Sequence, residues 1–222
     1  MSKSVLITGS TSGIGLGIAE VFAKNGYQIM FHGLEVNGAE IASNIGKKYK
    51  VNTAYSNANL LDSTAITQLI EETRRQLGSI DVLINNAGIQ YVSPIEDFPN
   101  EMYEKIIAIN MNAVFYACKA AWKHMKKQKF GRIINISSVH GIRASEFKSA
   151  YVTAKHGVVG MTKVMALEGA PYNITCNAIC PGYVKTPLVE NQIKDQAKAH
   201  QLSEDEVIEK IMLKKQAVKE FI

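Results

Sequence analysis

The sequence predicts an α/β fold, a doubly wound parallel sheet with helices on both faces, and three observations carry that reading. Short β-branched runs alternate with longer helical patterns from Ser4 to Ile179, the sequence form of repeated βαβ units. The first run opens into a glycine-rich turn that leads directly into a helix. No repeat, low-complexity tract or long linker interrupts the rhythm, so a single domain over 1–222 is the economical arrangement.

Taken in order, strands are expected at Ser4 to Thr8, Gln28 to His32, Asn52 to Ser56, Asp81 to Asn85, Arg132 to Ser137 and Ile174 to Ile179, with helices at about 13–25, 37–49, 63–76, 101–127 and 150–168. From Pro187 the pattern changes. Leu188 to His200 and Ser203 to Lys215 read as two consecutive helices with no strand between them, the second opened by Ser203-Glu204-Asp205-Glu206, a capping-box pattern. A helical excursion over about 187–215, directly after a strand end, is a candidate substrate lid, and a surface hairpin is the alternative.

Composition narrows the class. Apolar residues at 46% and charged residues at 20% are ordinary globular usage and exclude disordered and fibrous proteins. The net charge of +5 is spread along the chain; its densest cluster, Lys123-His124-Met125-Lys126-Lys127-Gln128-Lys129, ends a helical pattern where cations complement the helix dipole, so no nucleic-acid partner is expected. Cys118, Cys176 and Cys180 form an odd set in apolar surroundings and no signal-peptide pattern precedes the first strand, which suggests a reducing, cytoplasmic setting. No second Cys/His pair accompanies Cys176 and Cys180, so no metal is expected, and no apolar run reaches the roughly 18 residues of a membrane span.

Two local patterns carry chemistry. Val5-Leu6-Ile7-Thr8 runs into Gly9-Ser10-Thr11-Ser12-Gly13-Ile14-Gly15 and a helix, an order that sets free N–H groups and a positive helix end beside a phosphate-sized space and favours a dinucleotide in a Rossmann-type fold. Gly9 would permit the turn, Gly13 would let backbone approach the ligand, and Gly15 would let the helix pack close to the sheet. Phe31-His32-Gly33-Leu34 offers no Arg or Lys, and Ser12 is uncharged, so the cation for a 2′-phosphate is missing and NAD is favoured over NADP, although the usual ribose-binding Asp is missing too. The second pattern is Tyr151-Val152-Thr153-Ala154-Lys155. On a helix both side chains share a face, and an adjacent ammonium would lower the phenol's pKa of about 10. By itself the spacing fits an amphipathic helix equally.

Asn85-Asn86-Ala87-Gly88 follows the fourth strand, Asn110 lies in the next helix, and Ile136-Ser137-Ser138 follows the fifth strand. With the glycine turn and the Tyr151/Lys155 pair, in this order, they resemble the short-chain dehydrogenase/reductases from Val5 to about Pro187. Gly88-Ile89-Gln90, Ser137-Ser138-Val139-His140-Gly141, the stretch Lys148 to Gly157, Thr175 to Gly182 and Thr186-Pro187-Leu188-Val189 resemble its bacterial D-3-hydroxybutyrate dehydrogenase branch.

The resemblance implies NAD as cofactor, 3-hydroxybutyrate and acetoacetate as small anionic substrates, and a homotetramer where the C-terminus is present. It assigns Tyr151 as the general base or acid, Lys155 as the residue that lowers its pKa and holds the ribose, and Ser138 as the partner of the substrate oxygen, with Ser137 the competitor. Asn110 would hold a water that links Lys155 to solvent. The glycine turn, with Thr11, Ser12 and Ile14, would hold the cofactor together with Asn59 and Leu60, with Asn86, Ala87 and Gly88, and with Pro181, Gly182 and Val184. Lys148 would bind the substrate carboxylate, helped by Gln90, His140 and Gln192.

Asn59 stands where the family commonly has an Asp beside the adenine, so altered affinity is expected. Members continue through a seventh strand, so the sixth strand, Ile174 to Ile179, is expected to form an unpaired edge here. Two other readings are a 3-oxoacyl thioester reductase of the same superfamily, which would favour NADPH and need no carboxylate clamp, and a non-catalytic nucleotide-binding sensor or scaffold.

Overall fold

The computed structural model of the protein describes residues 2–214 and 216–221. Its centre is a six-stranded parallel sheet in the order β3-β2-β1-β4-β5-β6, formed by β1 Ser4–Ile7, β2 Gln28–His32, β3 Thr53–Ser56, β4 Val82–Asn85, β5 Gly131–Ile136 and β6 Ile174–Ile179. The chain winds outward from β1 in one direction and from β4 in the other, so a crevice opens at the carboxyl ends of these two strands, where doubly wound sheets bind ligands. Among the described residues β6 pairs with β5 alone and forms the sheet edge.

Period-two alternation divides the strand side chains between two cores. Leu6, Met30, Leu83 and Ile133 pack against α3 (Ser63–Leu77), α5 (Ala113–Gln128) and α6 (Ser149–Gly169) through Ile66, Ile70, Ala117, Ala121 and Val158. Val5, Ile7, Ile29, Phe31 and Ile84 pack on the other face against Ala19 and Ala23 of α1 (Gly13–Lys24) and Ala42 and Ile45 of α2 (Gly38–Tyr49). Each fully buried Leu, Ile or Phe contributes about 1.5–3 kcal/mol. Asn85 and Asn135 lie opposite each other on the first face and are buried. Asn85 Nδ2 donates to Asn135 Oδ1 at 2.8 Å and Asn135 Nδ2 to Thr162 Oγ1 at 2.9 Å, which satisfies the amides and favours this β4–β5 register.

Two helical expectations are corrected. The stretch 101–127 is not one regular helix but α4 (Asn100–Ile107), a π turn over Ala108–Asn112, and α5. In the π turn the Asn110 amide accepts from Ile89 N at 2.9 Å and donates to Ile89 O at 2.8 Å, which ties the loop after β4 to the helix. After β6, α7 (Pro187–His200) matches its expected span. Ser203 forms its capping box with Glu206, but α8 is short, Glu204–Val207, and passes into a π turn over Ile208–Met212; Lys215 lies outside the described residues. Val189, Ile193, Val207 and Met212 build a small core of their own, with Tyr183 packed against it. Among the described residues no helix is long and apolar enough to cross a membrane.

Candidate active site

A cavity of about 600 Å³ occupies the crevice beyond β1 and β4. At one end Gly9 and Gly13 take left-handed backbone conformations, φ +62° and +52°, which a side chain would oppose. A Cβ on Gly9 would meet Ala87 Cα at 3.0 Å, and one on Gly15 would collide with the Gly9 carbonyl oxygen. The close approach that Gly15 permits is therefore to the turn itself. Asn86 Nδ2 braces the same turn, donating to Thr8 O at 3.0 Å and Gly9 O at 2.9 Å. Ser12, at the N-cap of α1, makes no side-chain capping bond, and no acidic residue stands in the first turn. The amides of that helix end thus face the cavity without an acceptor from the cap, beside Ser12, Gly13 and Ile14 in its lining.

Asn59, Leu60, Ala87, Gly88, Pro181, Gly182 and Val184 also line the cavity, whereas Thr11 and Gly15 support it from behind. Asn59 Oδ1 accepts from Leu61 N at 3.0 Å, so part of its amide serves the local turn. Sequence reasoning missed two residues here. Glu35 lines the cavity; its carboxylate accepts from Thr11 Oγ1 and, at 3.0 Å, from Ser12 Oγ. Burial would raise the Glu35 carboxyl, but these bonds, with others from backbone, outweigh it and hold the group below its ordinary range. Its place twenty residues after Gly15 is the spacing of a ribose-binding acid and was the available signal. His32 is buried; its Nδ1 accepts from Gly9 N at 3.2 Å and its Nε2 lies 2.9 Å from Ala58 O, an arrangement that needs the neutral ring with the proton on Nε2. Burial lowers its pKa despite the Ala58 bond.

At the other end of the cavity, Ser138, Tyr151 and Lys155 come together from the loop after β5 and from α6. Ser137 commits its Oγ, donating to Lys155 O at 3.1 Å, whereas Ser138 faces Tyr151. The expected acidic phenol is corrected: burial raises the Tyr151 pKa and the Ser138 hydroxyl only offsets this. Burial also brings the Lys155 pKa down to about 8, and its Nζ donates to Ile136 O at 2.8 Å. Asn110 is buried beside Gly88 with its amide committed to Ile89, so a water at this residue would need its backbone rather than its side chain.

A third group lies beneath the same end. Phe147 takes φ +63°, a left-handed conformation unusual for a bulky residue, immediately before Lys148 at the N-cap of α6. Lys148 is only 1% exposed. Its Nζ donates to Tyr183 Oη at 3.1 Å and Gln192 Oε1 at 3.3 Å, and lies 3.5 Å from His140 Nε2. Tyr183 Oη and Gln192 Oε1 are neutral acceptors, and burial lowers the Lys148 pKa to about 8. His140 and Gln192 line the cavity and stand with Lys148 as the sequence suggested. Gln90 does not join them: its amide N and O are buried without a hydrogen-bond partner among the described residues and lie outside the cavity lining. Tyr183, which does join them, had no signal in the sequence, since it lies thirty-five residues from Lys148.

Residues 3–197 match the family model described as short chain dehydrogenase. The chain is 45% identical to the D-beta-hydroxybutyrate dehydrogenase of Rhizobium meliloti (strain 1021) over 100% of this chain and 87% of that protein. It is 44% identical to the D-beta-hydroxybutyrate dehydrogenase of Cupriavidus necator over 99% of this chain and 85% of that one. A crystal structure of an actinorhodin polyketide ketoreductase variant with NADPH superposes with a TM-score of 0.92 at 29% identity, over 100% of this chain and 85% of that chain.

Proposed function

The chain belongs to the short-chain dehydrogenase family, and we propose that it interconverts D-3-hydroxybutyrate and acetoacetate with NAD as the cofactor. The observation that carries the substrate class is Lys148, a buried ammonium that has no carboxylate partner among the described residues and lies beside a cavity lined by His140 and Gln192. A buried charge without a counter-ion is costly, and a substrate carboxylate would supply one. A 3-oxoacyl thioester has no such group to offer.

The cavity fits a nicotinamide dinucleotide: the uncapped amides of α1 and the glycine turn suit a pyrophosphate, and Glu35 suits the hydroxyls of an unphosphorylated ribose. A 2′-phosphate would meet the Glu35 carboxylate at close quarters, which favours NAD. When bound, the nicotinamide ring exchanges the hydride with the substrate and, oxidised, brings a positive charge to this end of the cavity.

In the reducing direction the protonated Tyr151 phenol donates its proton to the substrate oxygen as the carbonyl carbon is reduced, and the raised pKa keeps that proton in place until then. In the oxidising direction Tyr151 must first have lost its proton to solvent, a loss that the positive charge of an oxidised cofactor and of Lys155, when charged, would favour; the phenolate then takes the hydroxyl proton while Ser138 holds the same oxygen. Lys148, His140 and Gln192 hold the carboxylate so that the reacting carbon is fixed relative to Tyr151.

The test compares reduction of acetoacetate with that of its methyl ester by the wild-type protein. Loss of a charge-assisted contact worth about 1.5–3 kcal/mol lowers kcat/KM for the ester by about ten- to a hundredfold. Equal rates for acid and ester would overturn the carboxylate reading.

A further inference from the structure

Gly9, the first glycine of the turn, is held through both of its backbone groups. Its carbonyl accepts from Asn86 Nδ2 at 2.9 Å, and its N–H donates to His32 Nδ1 at 3.2 Å. Among the described residues no other acceptor is bonded to Gly9 N. His32, the last residue of β2, is tied to the same turn through its backbone as well: its carbonyl accepts from Ser10 N at 2.8 Å and its N–H donates to Ser10 Oγ at 3.0 Å. Any residue at position 32 could make those backbone bonds. The bond to Gly9 needs a side-chain acceptor.

The far side of the ring reaches a second wall of the cavity. His32 Nε2 lies 2.9 Å from Ala58 O, and because a carbonyl only accepts, Nε2 carries the proton. Gly9, His32, Ala58, Asn59 and Leu60 all line the cavity, so one imidazole spans from the glycine turn to the 58–60 segment. His32 is 3% exposed, which makes water a poor substitute for either partner.

A neutral imidazole donates through one nitrogen and accepts through the other, whereas an imidazolium donates through both. Protonation would set two N–H donors against each other at Gly9 and strand the amide of the turn. The charged group that acts on the ring is Glu35, in the loop after β2, and its carboxyl is held below its ordinary range, so it stays ionised at pH 5 and above. Tyr55 of β3 donates its hydroxyl to Gly33 O at 2.9 Å and Glu35 O at 3.3 Å, and its pKa is raised above 10. Asp62, at the N-cap of α3, accepts from Thr64 N at 2.8 Å. The turn 9–15 and the 58–60 segment bring no titratable side chain.

We propose that His32 is a positioning residue for the cofactor site, its neutral ring clamping the glycine turn to the 58–60 segment, and that protonation of the ring opens the clamp and weakens dinucleotide binding. The inference deepens the function proposed above and rests on its reading of the cavity as a dinucleotide site. A bound dinucleotide would in turn hold the glycine turn in the clamped form, so the ring should be harder to protonate in the complex than in the free protein.

The probe is ADP-ribose, which keeps the adenine, ribose and pyrophosphate and lacks the nicotinamide, so titration at Lys148, Tyr151 and Lys155 stays out of the reading. Calorimetric titration between pH 7.5 and 5.0 compares the wild type with His32→Gln, whose carboxamide can accept from Gly9 and donate to Ala58 but takes no proton, and with His32→Leu, which does neither. Wild-type affinity should be flat above pH 6.5 and fall below it by as much as about tenfold per pH unit once the ring titrates. His32→Gln should vary by less than about twofold across the range. His32→Leu should bind about tenfold more weakly than the wild type at pH 7.5 and be equally insensitive to pH. Imidazole nitrogen NMR of the wild type needs no variant: it should show the proton on Nε2 at pH 7.5, and a titration midpoint that moves down when ADP-ribose is added.

Wild-type affinity that ignores pH would overturn the clamp, as would a proton found on Nδ1. So would affinity that rises on acidification, the result of simple attraction between an imidazolium and the pyrophosphate. Failure of ADP-ribose to bind at any pH would overturn the clamp together with the dinucleotide reading. Binding that weakens as expected, in a protein that transfers no hydride to acetoacetate, would overturn the proposed reaction and leave the clamp standing.

Discussion

Replacing Lys148 by Met should stabilise the protein while destroying its anion site. The side chain is 1% exposed and burial alone draws its pKa from 10.5 to about 8. At about 1.36 kcal/mol for each pH unit between those two values, keeping the ammonium charged at pH 7 costs the fold about 3 kcal/mol. Met matches the apolar stem, needs no solvation and is tolerant of irregular space. The variant leaves Gln192 Oε1 and one lone pair of Tyr183 without a donor, which takes back part of the gain, so a net stabilisation of about 1–3 kcal/mol is expected. For a chain of this size that corresponds to a rise in Tm of roughly 3–8 °C.

Calorimetric melting of the two proteins at pH 7 provides the assay. The same melts are then repeated at higher pH. The folded-state lysine loses its proton near 8 and the unfolded one near 10.5, so wild-type stability rises with pH through this window and the advantage of the variant should fade there. A variant less stable than wild type at pH 7, or an advantage that does not change between pH 8 and 10.5, would refute the account of Lys148 as a buried charge awaiting a partner.

Two other outcomes follow from the cofactor end. Glu35→Gln removes the negative charge beside Thr11 and Ser12 while keeping a hydrogen-bonding group, and should lower the NAD:NADP ratio of kcat/KM by about tenfold; an unchanged ratio would mean that Glu35 does not select against a 2′-phosphate. His32, neutral and bonded to Gly9 N, has a folded pKa below the 6.5 of the free side chain, so its stabilisation is present above pH 6.5 and is lost as the pH falls. Denaturant unfolding of wild type should therefore lose up to about 1.4 kcal/mol per pH unit more than His32→Gln below pH 6.5, and parallel pH profiles would contradict the assignment.

The sheet was legible because each buried strand is a short apolar run bounded by turn residues, and the glycine turn was legible because glycine takes the left-handed φ values seen at Gly9 and Gly13 without the cost a side chain brings. The grouping of Ser138 with Tyr151 was implied by the family resemblance and not by either residue's own pattern. What was hidden depended on tertiary contact. Helical periodicity cannot distinguish a π turn from an α turn, so the break at Ala108–Asn112 appears only once Asn110 is seen bonded to Ile89. Tyr183 reads as an ordinary residue after a Pro-Gly pair until the chain reversal after β6 sets it against Lys148. The raised Tyr151 pKa was hidden for the same reason: the four-residue spacing to Lys155 shows proximity, but burial, which dominates both groups, depends on the elements packed over them.

The most direct measurement of the central claim is absorbance in the reduced-nicotinamide band after mixing the protein with 3-hydroxybutyrate and an oxidised cofactor. The D isomer with NAD should give rapid reduction, with NADP a poor substitute, and Tyr151→Phe should bind NADH yet abolish the signal. No reduction with either isomer and either cofactor, or near-normal turnover by Tyr151→Phe, would contradict a hydride-transfer site built on Ser138, Tyr151 and Lys155.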